Sequence, residues 1–220
     1  MLKTENRRPL EVRNANLAKR FAAWLSQKNV TPNQISLLSV VFAALAAGCL
    51  LMLPVVSGPW NWALPVMAAA LIQCRLLCNL FDGMVAVEGG KGTRSGELFN
   101  DIPDRIADPL ILVAAGYAIT VVPWASAIGW AAGLLAVMTA YVRTLSASIG
   151  APVDFRGPMA KQHRMAAMTV GCLLTAIEAF VGGQSWVLLL TLIIIVTGTL
   201  FTVGRRTRAA YVALEDTSHE

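Results

Sequence analysis

Residues 79–108 read NLFDGMVAVEGGKGTRSGELFNDIPDRIAD, a run of carboxylates, carboxamides and glycines inside a chain that is otherwise mostly apolar. An ionisable side chain in hydrocarbon costs at least ~3 kcal/mol on insertion scales, so a cluster of them in apolar sequence is a functional-site hypothesis. The spacing reads as two helices joined by a glycine-rich turn. Asn79 and Asp82 share a face near the end of the first, while Asn100, Asp104 and Asp108 recur every four residues on the second. Packed as antiparallel neighbours, the two helices turn these oxygen stripes toward each other.

An all-oxygen cluster suits Mg2+, Mn2+ or Ca2+, not zinc. Two carboxylates and two carboxamides around one point can hold a pair of divalent ions ~3.5 to 4 Å apart, the arrangement that clamps a phosphate between attacking and leaving oxygens. That chemistry is phosphoryl or nucleotidyl transfer. Gly83, Gly89, Gly90, Gly92 and Gly96 permit close backbone approach to phosphate or to a neighbouring helix.

Composition sets the surroundings of this stretch. The 220 residues are 56% hydrophobic and only 14% charged, and the mean hydropathy is +0.60, values that belong to membrane proteins. The formal charge of +5 comes without aromatic-interleaved basic runs, so nucleic acid is not an expected partner. The four cysteines lie in apolar stretches and read as small buried hydrophobes. No cleavable leader is expected, because the first 28 residues are charged and lack an apolar core.

The chain divides into an interfacial segment at 1–28, a membrane domain at 29–204 and a tail at 205–220. Within the first, Leu17, Phe21, Ala22, Trp24 and Leu25 fall near one face of an amphipathic helix lying on the membrane surface. Thr31-Pro32-Asn33 marks the start of the first span. Spans are predicted at about 34–56, 62–87, 97–121, 124–148, 165–182 and 186–204, each near the length that crosses ~30 Å of hydrocarbon. The predicted fold is an all-α integral membrane protein of six transmembrane helices with an N-terminal interfacial helix.

Lys and Arg define the orientation. Seven lie in residues 1–28, two in the glycine-rich turn, three in the 149–164 loop and three in the tail, whereas the turns near 57–61, 122–123 and 183–185 contain none. By the positive-inside rule both termini and the 79–108 turn face the cytoplasm of an inner, cell-membrane protein. Trp60, Trp62, Trp124 and Trp186 form an aromatic belt at the other side.

With these residues in place, the stretch resembles the signature of the CDP-alcohol phosphotransferase (phosphatidyltransferase) family, D-x2-D-G-x2-A-R-x8-G-x3-D-x3-D. Asp82 and Gly83 align on the second aspartate and its glycine, Ala86 on the alanine, Gly96 on the later glycine and Asp104 on the last aspartate. Asn79 and Asn100 stand where the family has aspartates, and Val87 replaces the arginine. The resemblance implies a metal-dependent transferase of phospholipid synthesis, using Mg2+ or Mn2+ and working as a homodimer. It moves a phosphatidyl group from a CDP-alcohol such as CDP-diacylglycerol to an alcohol acceptor and releases CMP. Asp104 is then the base and a metal ligand, Asp82 a metal ligand, and Asn79 and Asn100 neutral oxygen ligands. The cytidine diphosphate lies over Asp82, Gly83, Ala86 and Gly96.

Each missing carboxylate removes several kcal/mol of cation attraction at short range, even at an effective dielectric near ~20. Asp101, Asp108, Glu88 and Glu97 are candidates to compensate. Arg105, Arg143, Arg156, Lys161 and Arg164 are candidates to bind a phosphate on the acceptor or the donor's diphosphate. The rival expectation, prompted by the asparagines and Val87, is a weak or inactive relative that binds CDP-lipid or protein partners in a regulatory role. Solute transport fits less well, because the acidic cluster sits at one face and no inverted repeat is visible.

Overall fold

Thr31 begins the first long helix by a reciprocal cap: Gln34 N donates to the Thr31 hydroxyl at 3.3 Å and Thr31 N donates to Gln34 Oε1 at 3.0 Å. Pro32 follows at the first helical position, where its missing N–H costs nothing. The structure is a computed structural model, describing residues 16–28, 30–58, 61–87, 90 and 95–217.

Among these residues the fold is all-α, with helices α1 (Asn16–Gln27), α2 (Pro32–Met52), α3 (Ala63–Val87), α4 (Gly96–Ala118), α5 (Ala125–Ser148), α6 (Lys161–Phe180) and α7 (Trp186–Thr217). Four of them, α2, α3, α5 and α7, are long and apolar enough to cross a membrane. The other two predicted spans, α4 and α6, exist as helices near their predicted bounds but carry charge. Asp101, Asp104, Arg105 and Asp108 lie on α4, and Lys161, Arg164 and Glu178 on α6.

Small residues bring the helices together. Ala43, Ala46 and Ala47 of α2, Ala68 and Ala69 of α3 and Ala107, Ala114 and Ala115 of α4 are buried in one core. Gly116 and Gly129 lock α4 to α5, since a Cβ on Gly116 would sit 2.8 Å from the Gly129 Cα. Large apolar side chains such as Leu37, Leu45, Leu134, Leu190 and Phe201 face outward.

Three differences from the sequence reading matter. First, α3 and α4 meet only sparsely; α2 packs along both, because its Ser36, Ser39, Ala43 and Ala46 side is narrow enough to admit two neighbours. Second, α7 does not stop at 204 but continues through the basic run to Thr217, so most of the expected tail is helix. Third, α1 buries Ala18 and Ala22 against Leu80, Met84 and Val85, while Phe21 and Trp24 of the predicted apolar face stay about half exposed. Their rings stack at 5.6 Å, and Phe21 also meets Phe81 at 4.7 Å.

Glu178, at the end of α6, caps α7. Its carboxylate accepts from Trp186 N at 2.8 Å and Val187 N at 3.0 Å, where unpaired N–H groups and the helix dipole favour an anion. Cys78 and Cys172 are buried, Cys49 and Cys74 half-buried, and all four are free.

Candidate active site

The charged cluster lies where α2 begins, α3 ends, and α4 and α6 begin. On α3 the residues Arg75, Asn79 and Asp82 succeed one another along one face, four and three positions apart. Although α2 packs along both α3 and α4, side chains bridge the two at this end. Arg75 does so from complete burial. Its Nη2 donates to Asp104 Oδ1 at 2.8 Å and lies 2.6 Å from Asp108 Oδ1 as an ion pair outside hydrogen-bond alignment.

Asp104, 7% exposed, is the hub. Its Oδ1 also accepts from the Asn79 carboxamide at 2.8 Å, and its Oδ2 pairs with the Lys161 ammonium of α6. Asp108, one turn deeper, accepts from Arg164 Nη2 at 2.7 Å. Asparagine at 79 has a direct consequence, since a carboxamide donates to a carboxylate, whereas an ionised aspartate would only repel it.

Asp82 is different. It is 3% exposed, and its Oδ2 accepts from the Ser36 hydroxyl at 2.7 Å, but its Oδ1 is buried without a hydrogen-bond partner. A buried carboxylate oxygen with no donor is costly unless a proton or cation meets it. That orphaned oxygen fits a divalent ion. Among the described residues, this cleft included, no three Asp, Glu, His or Cys side chains come together as ligands, so Asp82 would hold an ion with neutral oxygens or with the phosphates of a substrate.

The remaining sequence candidates separate. Asp101 pairs with Arg105 at 2.7 Å and with Arg143 at 2.9 Å, away from the Asp104 carboxylate. Asn100 is exposed on α4, and Gly83, Ala86 and Gly96 are half-buried. Arg156 is exposed and bonded to Asp154. Burial raises the Asp154 carboxyl pKa, but the hydrogen bonds and charge of Arg156 outweigh it and hold the group below the usual carboxylate value. Glu88, Gly89, Gly92 and the Glu97 side chain lie outside the described residues, as does Trp60.

Arg75, two turns from Asp82, reads in the sequence as a phosphate partner or as a cation that neutralises the acidic cluster, and it lies on Asp104 and Asp108. Two participants carried no clear sequence signal. Ser36 is an ordinary helix serine until α3 brings Asp82 to it. Arg206 sits in a basic run that reads as tail, yet it is 7% exposed and clasps the carbonyls of Thr139, Phe155 and Arg156 at 2.9 to 3.0 Å, pinning the 149–160 loop. A groove of about 1030 Å³ between that loop and α7, lined in part by Phe155, Phe201, Arg205 and Arg208, shares no residue with the carboxylate cluster.

Membrane-length apolar helices with a buried carboxylate and cation cluster at one end define an integral membrane enzyme that handles phosphate. The phosphatidylinositol phosphate synthase of Streptomyces avermitilis is 28% identical over 196 residues, 84% of this chain and 74% of that protein. The archaetidylinositol phosphate synthase of Aeropyrum pernix is 30% identical over 158 residues, 70% of this chain and 72% of that protein. Solved structures of the Mycobacterium tuberculosis phosphatidylinositol phosphate synthase share the fold. The CDP-DAG-bound one has a TM-score of 0.70 at 17% identity, covering 90% of this chain and 94% of that one. The one with manganese and citrate has a TM-score of 0.71 at 18% identity, covering 88% of each. No family model matches the chain.

The chain belongs to the CDP-alcohol phosphatidyltransferase family. Its activity is that of a phospholipid-synthesis transferase, which passes a phosphatidyl group from a CDP-linked donor to an alcohol.

Proposed function

We infer that the donor is CDP-diacylglycerol and that the acceptor is a polyol carrying its own phosphate, of the inositol phosphate kind. The observation that carries the acceptor reading is the Lys161 ammonium. It is about one quarter exposed at the mouth of the cleft and spends one contact on Asp104. An ammonium has three donors, so the others can hold a phosphate oxygen while the pair keeps the acceptor hydroxyl beside the carboxylate. The relatives named for inositol phosphate lipids support this choice.

In this reading Asp104 takes the hydroxyl proton, the acceptor oxygen bonds to the phosphatidyl phosphorus, and the bond to CMP breaks. Arg75 and Asn79 fix the orientation of the base from behind. Asp82 holds a divalent ion, Mg2+ or Mn2+, with Asn79 and Asn100 as neutral oxygen candidates. Bound there, the ion supplies charge neutralisation for the donor's diphosphate. Gly83, Ala86 and Gly96 leave room for the cytidine diphosphate, and Arg105, Arg143 and Arg164 set the positive field around it. Asp101, held between Arg105 and Arg143, positions those arginines.

The same reading places α4 and α6 as membrane spans, which makes six. Apart from Glu178, which caps α7, their charges lie at the cleft end, and Arg75, Lys161 and Arg164 neutralise those in the interior. Both termini and the cleft face the cytoplasm, supported by the distribution of Lys and Arg and by Trp124 and Trp186 exposed at the opposite end. α1 lies at the interface with Phe21 and Trp24 outward, and two copies associate as the family resemblance implies.

The test is CMP release from CDP-diacylglycerol by detergent-purified protein with Mg2+ or Mn2+, offered inositol phosphate, glycerol phosphate and their unphosphorylated counterparts. Turnover with a phosphorylated polyol supports the reading. Turnover with the unphosphorylated alcohols alone overturns the acceptor, and release with none of the panel overturns the proposal in favour of a regulatory CDP-lipid binder.

A further inference from the structure

We propose that this chain holds one divalent cation, on Asp82, and that Arg75 and Lys161 occupy the place a second cation would take at Asp104. The inference deepens the metal part of the proposed function and is independent of the transfer chemistry.

The charge distribution carries it. Around Asp104 and Asp108, two buried carboxylates face three cations of the chain itself, Arg75, Lys161 and Arg164. Both oxygens of Asp104 are engaged, Oδ1 by Arg75 and the Asn79 carboxamide, Oδ2 by Lys161. No negative charge is left over there to repay the dehydration of a second divalent ion. A carboxylate at position 79 would supply one; asparagine instead donates a hydrogen bond to Asp104 and so closes the cluster. The guanidinium bridges Asp104 and Asp108 much as a metal bridges two carboxylates, and Lys161 stands at the exposed side.

Asp82 has the opposite character. One oxygen takes the Ser36 hydroxyl and the other is buried without a hydrogen-bond partner. The residue is 3% exposed, and none of the ion pairs among the described residues involves it. Of the buried carboxylates of the cleft, Asp82 is the one without an ion-pair partner.

The experiment counts Mn2+ bound per chain by electron paramagnetic resonance on detergent-purified protein, with Mn2+ alone and no lipid or nucleotide. The wild type binds one ion, and Asp82→Asn weakens that binding at least tenfold. Asn79→Asp combined with Lys161→Gln, and Asn79→Asp combined with Lys161→Met, leave three carboxylates facing the two arginines with Asp104 Oδ2 freed, and bind two. Two ions on the wild type, none on the wild type, or a count still at one in both double variants overturns the proposal. A protein that binds one ion yet releases no CMP leaves this inference standing and removes only the transfer reading.

Discussion

Arg75 and Asp104, which belong to helices that hardly touch, are joined at 2.8 Å with the guanidinium wholly buried. The contact bridges α3 and α4, and it determines how the cluster responds to substitution.

Arg75→Met is expected to destabilise the fold by about 3 to 5 kcal/mol, because it strands Asp104 and Asp108 beside one fewer cation in a buried setting. Thermal unfolding in detergent measures this as a lowered midpoint. Replacing Asp108 as well, by Asn, recovers part of the loss, since the charge that Arg75 neutralised is then gone.

Asp104→Asn keeps the shape of the side chain and removes the base. CMP release is expected to fall by about 10² to 10⁴, the range for loss of a positioned general base, while size-exclusion behaviour stays that of the wild type. Retention of full turnover would assign the base elsewhere.

Ser36→Ala removes the hydroxyl that orients Asp82. Because outer-shell partners of a metal ligand are worth about 10- to 100-fold in metal affinity, the Mn2+ concentration for half-maximal CMP release rises by that factor with the maximal rate nearly preserved. An unchanged metal requirement would mean that Ser36 only packs.

Gly116→Val inserts a side chain where a Cβ alone would lie 2.8 Å from a backbone atom of α5. Helices α4 and α5 must move apart, at a cost of about 1 to 3 kcal/mol or more. Because α4 carries Asp104, turnover falls together with the unfolding midpoint. The same substitution at Gly48, which has nothing within 4 Å, leaves both unchanged.

Local signals in the sequence were reliable where the chemistry is local. Thr31, Pro32 and Gln34 announce the start of α2 because a cap and a helix-competent ring act within one turn. The predicted spans fall close to α2 through α6 because long apolar runs flanked by Gly, Pro and charge leave few alternatives. The end of α7 was misread because RRTR looks like a solvated tail. In the fold Arg206 has three carbonyls to bond, and the helix continues past them.

At the site, the sequence by itself determined which residue types could act: an acidic and amide stripe on two helices, in a spacing shared with a known transferase family. It also determined that two of the expected negative charges are absent. Only the tertiary structure decided what replaces them. Whether a carboxylate is free to hold a cation depends on which distant side chains reach it, and Arg75, Lys161 and Ser36 lie 29, 57 and 46 residues from the carboxylates they bond. Coulomb energy in a low-dielectric interior depends on separation in space, so spacing along the chain could place Asp82 and Asp104 in one cleft but could not show that one is neutralised and the other is not.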